Sequence, residues 1–246
     1  MRIDLYEDMY KTEDTHWWHK AKRRFVGFLI SRYIKKEDIT ILDVGCGTGK
    51  NMEELSKKGK VWGVDISREA LLFCKKRNLL NVKEGDAEHL PFQKGSFDVV
   101  CMLDVLEHVD DGISVAEVVR VLKSGGYIIV TVPAFSWLWS RWDEALHHKR
   151  RYTREKVEEI LTKHGFVVLR NTYIHSFLVV PSFIIRKLKQ LQSKSYTSDF
   201  QINNTFLNSC LFFISELEQM WINRYDMPFG MSVLCIAQKK QYEYRS

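Results

Sequence analysis

Neither of the two most apolar stretches of this chain, 176–191 and the set that begins at Thr205, reaches the roughly 18–20 uninterrupted apolar residues of a membrane-spanning helix. Proline is scarce, at 4 residues, and glycine is unremarkable, at 13, which excludes a collagenous or Pro/Gly-rich disordered chain. The five cysteines, Cys46, Cys74, Cys101, Cys210 and Cys235, form no C-x-x-C pair and have no ligand-like histidine beside them. Neither a disulfide framework nor a metal site is expected, and a reducing compartment fits. The first residues lack a secretory pattern, because Asp4, Glu7 and Asp8 stand where a basic stretch followed by an apolar run is required. The expected location is the cytoplasm, with contact at the inner face of the membrane as the further reading. No internal repeat or low-complexity tract interrupts the chain. Nor is one charge in large excess: 37 Lys+Arg against 31 Asp+Glu leave +6, and the basic residues are scattered. That balance does not call for nucleic acid, and it leaves an anionic substrate or membrane surface open.

What is present is an ordinary globular composition, 45% apolar and 28% charged over 246 residues, with a mean hydropathy of -0.25. One large domain with a substantial insertion accounts for this length. Strand character is expected at 41–44, 61–65, 82–84, 97–103, 127–132, 166–169 and 232–237, and helical patterns at 51–57, 68–78, 112–122 and 153–164. Such alternation implies βαβ units and a mostly parallel sheet. Continuous apolar runs such as Ile128, Ile129 and Val130 fit strands covered on both faces.

The most informative stretch is Ile41-Leu42-Asp43-Val44-Gly45-Cys46-Gly47-Thr48-Gly49, a buried strand running into a glycine turn before a helix. Gly45 and Gly47 permit open dihedrals and a close approach of backbone to ligand. Asp65 ends the second strand twenty residues after Gly45, where an acid of a doubly wound fold reaches a ribose hydroxyl. Lys50 occupies the place where a dinucleotide fingerprint requires its third glycine.

The Asp43-x-Gly45-x-Gly47-x-Gly49 form resembles motif I of the Rossmann-like (class I) S-adenosylmethionine-dependent methyltransferases. Gly63-Val64-Asp65-Ile66-Ser67 is similar to their second motif, and Glu84-Gly85-Asp86-Ala87 to the adenine-contacting turn. Phe97-Asp98-Val99-Val100 through Leu106-Glu107-His108-Val109 resembles the fourth strand and its exit, and Leu122-Lys123-Ser124-Gly125-Gly126 the turn into the fifth. The likeness covers roughly 38–172 and 231–239. It implies an α/β fold with a seven-stranded sheet of order 3-2-1-4-5-7-6, helices on both faces, and a helical insertion between strands six and seven. The whole chain, 1–246, then reads as one methyltransferase domain. It would divide into a helical leader or lid (1–37), a cofactor-binding core (38–172), an insertion (173–230) and a final strand (231–239).

The resemblance implies S-adenosylmethionine as cofactor, with S-adenosylhomocysteine as product. Gly45 and Gly47 would back its methionine end, Asp65 would accept from both ribose hydroxyls, Asp86 from the adenine amino group, and Ala87 would offer its N–H to the ring. Asp43, Cys46, Gly49, Ile66 and Leu103 complete the implied lining.

An acceptor that is protonated at neutral pH needs a base, and two segments offer one. His108 leaves strand four, where open α/β sheets bind ligands; it acts as the base or only shapes the pocket. The segment from Trp142 to Thr153 resembles the His-x-Arg-Arg-Tyr element of a bacterial subgroup, with His148, Arg150, Arg151 and Tyr152 at the matching positions. Arginines beside a histidine suit an anionic acceptor, while the plainer reading is a solvated basic helix entrance in which Asp143 pairs an arginine. His16-Trp17-Trp18 is similar to the same subgroup's leader. Its tryptophans either pack the leader onto the sheet or face the cofactor, with Arg23 or Arg24 meeting the cofactor carboxylate.

In the insertion, Phe177, Leu178, Val179, Val180, Phe183 and Ile184 precede a helical set of Phe206, Cys210, Leu211, Phe213, Ile214, Leu217 and Trp221. A cap over the acceptor pocket, a core-packing helical pair and a membrane-surface face through 176–222 are the readings, with exposed apolar area deciding between them. The polar stretch 189–204 suits a mobile loop. The function implied is methyl transfer to an O or N atom of a small-molecule, glycan or lipid-linked acceptor by in-line displacement. An RNA methyltransferase and a non-catalytic cofactor-binding scaffold are the alternatives, the first disfavoured because no Asn/Asp-Pro-Pro-aromatic signature follows strand four.

Overall fold

Alternation along the central strands sorts their side chains onto two opposite cores. In the computed structural model, which describes residues 3–184 and 204–241, Val100 and Met102 face one cluster while Val99 and Cys101 face the other. Ile128 and Val130 likewise oppose Ile129, and Val233 and Cys235 oppose Leu234 and Ile236. A sheet apolar on both faces needs helices on both. The strands are β1 (Ile39–Val44), β2 (Gly59–Asp65), β3 (Val82–Glu84), β4 (Phe97–Leu103), β5 (Leu122–Pro133), β6 (Phe166–Ile174) and β7 (Ser232–Lys239). Their order is β3-β2-β1-β4-β5-β7-β6, with β7 antiparallel to both neighbours and the other pairs parallel. This is the expected Rossmann-like methyltransferase order.

The helices are α1 (Ile3–Thr12), α2 (Trp17–Tyr33), α3 (Lys50–Leu55), α4 (Arg68–Lys76), α5 (Asp111–Val121), α6 (Arg141–Ala145), α7 (Arg154–Lys163) and α8 (Thr205–Ile222). On one face α5 brings Val115, Val118 and Val121, and α7 brings Val157, Ile160 and Leu161. On the other, α2 brings Phe25, Val26, Leu29 and Ile30 against Ile41, Val99 and Ile129. Side-chain caps start the helices where the sequence supplies them: Ser67 accepts from the Ala70 N–H, Asp110 from Ile113 and Thr153 from Lys156.

Two boundaries differ most from expectation. β6 runs on through Arg170, Asn171 and Thr172 to Ile174, because β7 pairs with it as far as Ile174 opposite Ser232. Polar residues hid that strand, and the boundary placed at 173 falls inside it. β5 starts at Leu122, opposite Phe97, ahead of the glycines that masked its beginning.

The leader is helical, as expected, and leans on the insertion. The Trp17 N–H donates to Asn208 Oδ1 at 2.8 Å, and Arg24 grips Glu216 with both arms of its fork, at 3.0 and 2.7 Å. Glu218 receives the His175 and Ser176 N–H groups, each at 2.7 Å, which ties α8 to the end of β6. α8 nevertheless leaves Phe206, Phe213, Leu217, Met220 and Trp221 exposed, more than a core-packing pair would. Residues 185–203, including most of the expected 189–204 loop and the apolar residues Ile185, Leu188 and Leu191, lie outside the described residues. Among the described residues no helix is long and apolar enough to cross a membrane.

Candidate active site

The turn after β1 is pinned to the end of β2. The Gly45 and Cys46 N–H groups both donate to the Val64 carbonyl, at 2.8 and 3.1 Å. Gly45 and Gly47 take φ of +67° and +53°, where a side chain is strained. A Cβ at Gly45 would lie 2.6 Å from Val105 Cγ2, and one at Gly47 2.9 Å from Met9 Cε. The turn is therefore shaped for close approach.

Asp65 closes β2 beside it. Its Oδ2 accepts from the Gly47 N–H and its Oδ1 from the Ser67 N–H, both at 2.9 Å. Each oxygen keeps a lone pair, which matches two neighbouring hydroxyls. Burial pushes the Asp65 carboxyl up, while the amide bonds pull it down. Asp43, on β1, is buried with Oδ2 lacking any hydrogen-bond partner, and burial together with Asp65 pushes it up to about 8.

Cys46 is buried with its sulfur 4.0 Å from that of Cys74, Gly49 precedes α3, and Leu103 ends β4 half-buried. Ile66 is 72% exposed just past Asp65. Asp86 and Ala87 sit half-buried in the turn after β3, which is tied to β2 by the Gly85 N–H donating to the Asp65 carbonyl at 3.1 Å. Asp86 Oδ1 accepts from the Glu88 N–H at 2.9 Å. All the expected cofactor residues thus lie along the carboxyl edge of β1 to β4. A paired-acceptor acid, a turn without Cβ atoms and an orphaned buried carboxyl fit an adenosine with a cationic tail.

The leader covers this edge. Met9 touches the turn, and the buried Tyr6 phenol is pushed up by burial and by Asp65. Glu13, buried at the end of α1, bonds Thr48 of the turn and Arg77 at 2.8 Å, and burial pushes its carboxyl up. These contacts hold α1 against the turn, and sequence reasoning had not singled out Tyr6, Met9 or Glu13. Arg24 is taken by Glu216, and Arg23 donates to the Glu13 carbonyl at 2.7 Å. Trp17 and Trp18 both pack on His175, their ring centroids 5.4 and 4.2 Å away, so the tandem tryptophans fasten the leader to the start of the insertion.

Beyond β4 the chain enters a strained turn, with Asp104 at φ +59°. Thr131 donates to Asp104 Oδ1 at 3.0 Å, and Lys22 of α2 forms an ion pair with Oδ2. His108 and His148, expected separately, come together here with ring centroids 4.8 Å apart. His148 Nδ1 bonds Asp143 Oδ1 at 2.9 Å, which leaves Nε2 turned toward Glu107 Oε1, 4.0 Å away. Burial and His148 push His108 down to about 4. Glu107 is fully buried, neither oxygen has a hydrogen-bond partner, and burial raises its carboxyl well above the usual range.

Arg151 is a positioning residue. Its Nε and Nη2 grip Asp143 at 2.7 and 2.9 Å, and Nη1 donates to the Ala134 carbonyl at 2.9 Å. Asp143 is buried, where a solvated entrance had been the plainer reading, and its carboxyl is held well below the usual range by His148 and Arg151 despite burial. Arg150 pairs with Asp111 at 3.0 Å. The Arg151 guanidinium is taken up by Asp143 and Ala134, whereas the Arg150 side chain is 37% exposed and spends Nη1 on Asp111. Tyr152, buried, donates to the Leu106 carbonyl at 3.0 Å, and burial raises its phenol. It fixes the exit of β4 from behind. Glu107 was missed by sequence reasoning; its one signal was an acid between apolar neighbours at a strand exit.

Residues 42–130 match the family described as a methyltransferase domain. Demethylmenaquinone methyltransferase of Lactococcus lactis is 40% identical over 103 residues, 37% of this chain and 40% of that protein. Phthiotriol/phenolphthiotriol dimycocerosates methyltransferase 1 of Mycobacterium ulcerans is 39% identical over 99 residues, 37% and 36% of the two. The chain spans about half the length of the first curated relatives it matches, 50% and 46%. Among solved structures, a SAM-dependent methyltransferase of Thermotoga maritima superposes with a TM-score of 0.59 at 21% identity, over 97% of this chain and 96% of that one. The sheet order is that of the Rossmann-like methyltransferase fold, and residues 42–130, which include the glycine turn, match the methyltransferase-domain family.

Proposed function

We propose that the protein transfers the methyl group of S-adenosylmethionine to an oxygen or nitrogen of a small-molecule, glycan or lipid-linked acceptor. The observation that carries this reading is the placement of a His108–His148–Glu107 cluster at the exit of β4, next to the turn where Val105 touches Gly45. When bound, the cofactor supplies a sulfonium-activated methyl, so the chain's main task is alignment, worth roughly 7–11 kcal/mol of barrier. Asp65 holds the ribose and the glycine turn backs the methionine end. The cluster strips the acceptor of its proton as the new bond forms.

An apolar rim supports an acceptor with a hydrocarbon part. Trp137 and Phe183 meet edge to face at 5.9 Å, both exposed, just past the end of β5, with Val180 and Ile184 beside them in sequence and exposed as well. That rim and the bare face of α8 favour a lipid-linked acceptor over RNA.

The test is release of labelled methyl across a panel of soluble and lipid-linked hydroxyl and amine compounds. Activity on one class is expected, falling about 10²–10⁴-fold in His148→Ala and holding in the distant Lys163→Ala. Tight S-adenosylhomocysteine binding without turnover on any acceptor would make the protein a non-catalytic binder instead.

A further inference from the structure

The cluster at the exit of β4 holds more than a base requires. The donor atoms of Glu107, His108 and His148 all lie within 4.8 Å of one another. His148 has its outer nitrogen already engaged, Nδ1 by Asp143 Oδ1 at 2.9 Å, with Nε2 turned toward Glu107. In metal-bound imidazoles an outer N–H held by a carboxylate or carbonyl fixes the tautomer and leaves the inner lone pair for the ion. Glu107 is a second, independent sign. It is 0% exposed, both its oxygens are orphaned, and one of them lies within 4.8 Å of the histidine donors. The nearby cations Lys22 and Arg151 are spent on Asp104 and Asp143. Burying a carboxylate with no counter-charge is costly, and a cation between it and the two imidazoles removes that cost.

We propose that Glu107, His108 and His148 bind a divalent first-row transition ion. Two imidazoles and one carboxylate suit zinc, cobalt, iron(II) or manganese better than magnesium, and leave open positions. Ligand bonds of about 2.0–2.2 Å at tetrahedral angles put donors about 3.3–3.6 Å apart, so the widest pair closes by about an ångström on loading. The ion's catalytic role rests on the function proposed above, while its binding does not. With the ion loaded, the cluster strips the acceptor of its proton through the metal: a hydroxyl at an open position is made more acidic and loses its proton to water, with no imidazole acting as the base. The acceptor oxygen then bonds the methyl carbon as the carbon–sulfur bond breaks, the electron pair returning to sulfur.

The full chain, stripped with chelator, is titrated with Co²⁺ alone and followed by visible absorption, with S-adenosylhomocysteine binding measured on the same samples. One tightly bound cobalt is expected, weakened about 100-fold or more in His148→Ala and in Glu107→Gln and unchanged in the remote His164→Ala. S-Adenosylhomocysteine binding should persist in all three variants. Absence of stoichiometric cobalt binding, or equal affinity in parent, His148→Ala and Glu107→Gln, overturns the site. Cobalt bound by a parent chain that takes no S-adenosylhomocysteine would leave the ion site standing and remove the methyltransferase reading alone.

Discussion

Replacing Asp65 by asparagine isolates the contact on which cofactor binding turns. In the folded chain each carboxylate oxygen holds one backbone N–H, from Gly47 and from Ser67, both at 2.9 Å, and keeps one lone pair for a ribose hydroxyl. Asparagine preserves the shape but turns an NH₂ toward one of those sites and removes the charge from the other. The loss is one charge-assisted hydrogen bond, about 1.5–3 kcal/mol, which is roughly a 10- to 150-fold rise in Kd. Calorimetric titration with S-adenosylhomocysteine measures it directly. Because the turn also loses one amide acceptor, a fall of a few degrees in Tm should accompany the change. Unaltered affinity in Asp65→Asn would refute the ribose assignment. Lost affinity together with a collapse of Tm would instead trace the effect to the turn.

Two further outcomes follow from buried acids. Asp43, pushed up to about 8, keeps in the folded chain a proton that the unfolded chain releases near its ordinary 3.8. Its favourable contribution is complete below the unfolded value and is lost as pH rises through the folded one, at about 1.4 kcal/mol per unit at most. Asp43→Asn should therefore gain stability over the parent increasingly between about pH 4 and 8; parallel Tm profiles would contradict this. Arg77, whose guanidinium meets Glu13 at 2.8 Å and the Thr48 carbonyl at 3.2 Å, pins α1. Arg77→Ala strands Glu13 in a buried place, at an expected cost of about 3–5 kcal/mol, and should open α1 to protease well before global unfolding. An α1 that resists cleavage as in the parent rules the pin out.

Much of the cofactor end was legible from sequence because it is local. Asp43, the glycines and Asp65 are placed by single strand-to-turn transitions, and each transition is marked by an apolar run ending at a small or acidic residue. The acceptor end was legible only in pieces. His108 and His148 are forty residues apart, and nothing in the spacing says that the Lys149 N–H donates to the Glu107 carbonyl at 2.7 Å and brings the segments together. Arg151 carried the chemistry of an anion grip, yet its partner Asp143 lay eight residues upstream and took the whole fork. β6 was cut short for a related reason. A strand paired with a distant antiparallel neighbour tolerates polar residues that local propensity reads as loop.

The acids at the carboxyl edge make sense together. Asp43 lies in β1, Asp65 ends β2, Asp104 follows β4 and Glu107 stands three residues on, while Lys22, the cation α2 brings among them, is paired with Asp104. Three of the four, Asp43, Asp65 and Glu107, are raised by burial, so they weigh against folding at neutral pH. A ligand with a sulfonium offsets that cost, whereas its thioether product, which has lost the charge, does not. Under the proposed function, the edge favours loading of the reagent and release of the product. It does not by itself supply rate, since a charge stabilised before reaction is not stabilised further during it. Under the proposed function, rate comes from alignment along the glycine turn and from the cluster of Glu107, His108 and His148, whose removal should silence turnover while cofactor still binds.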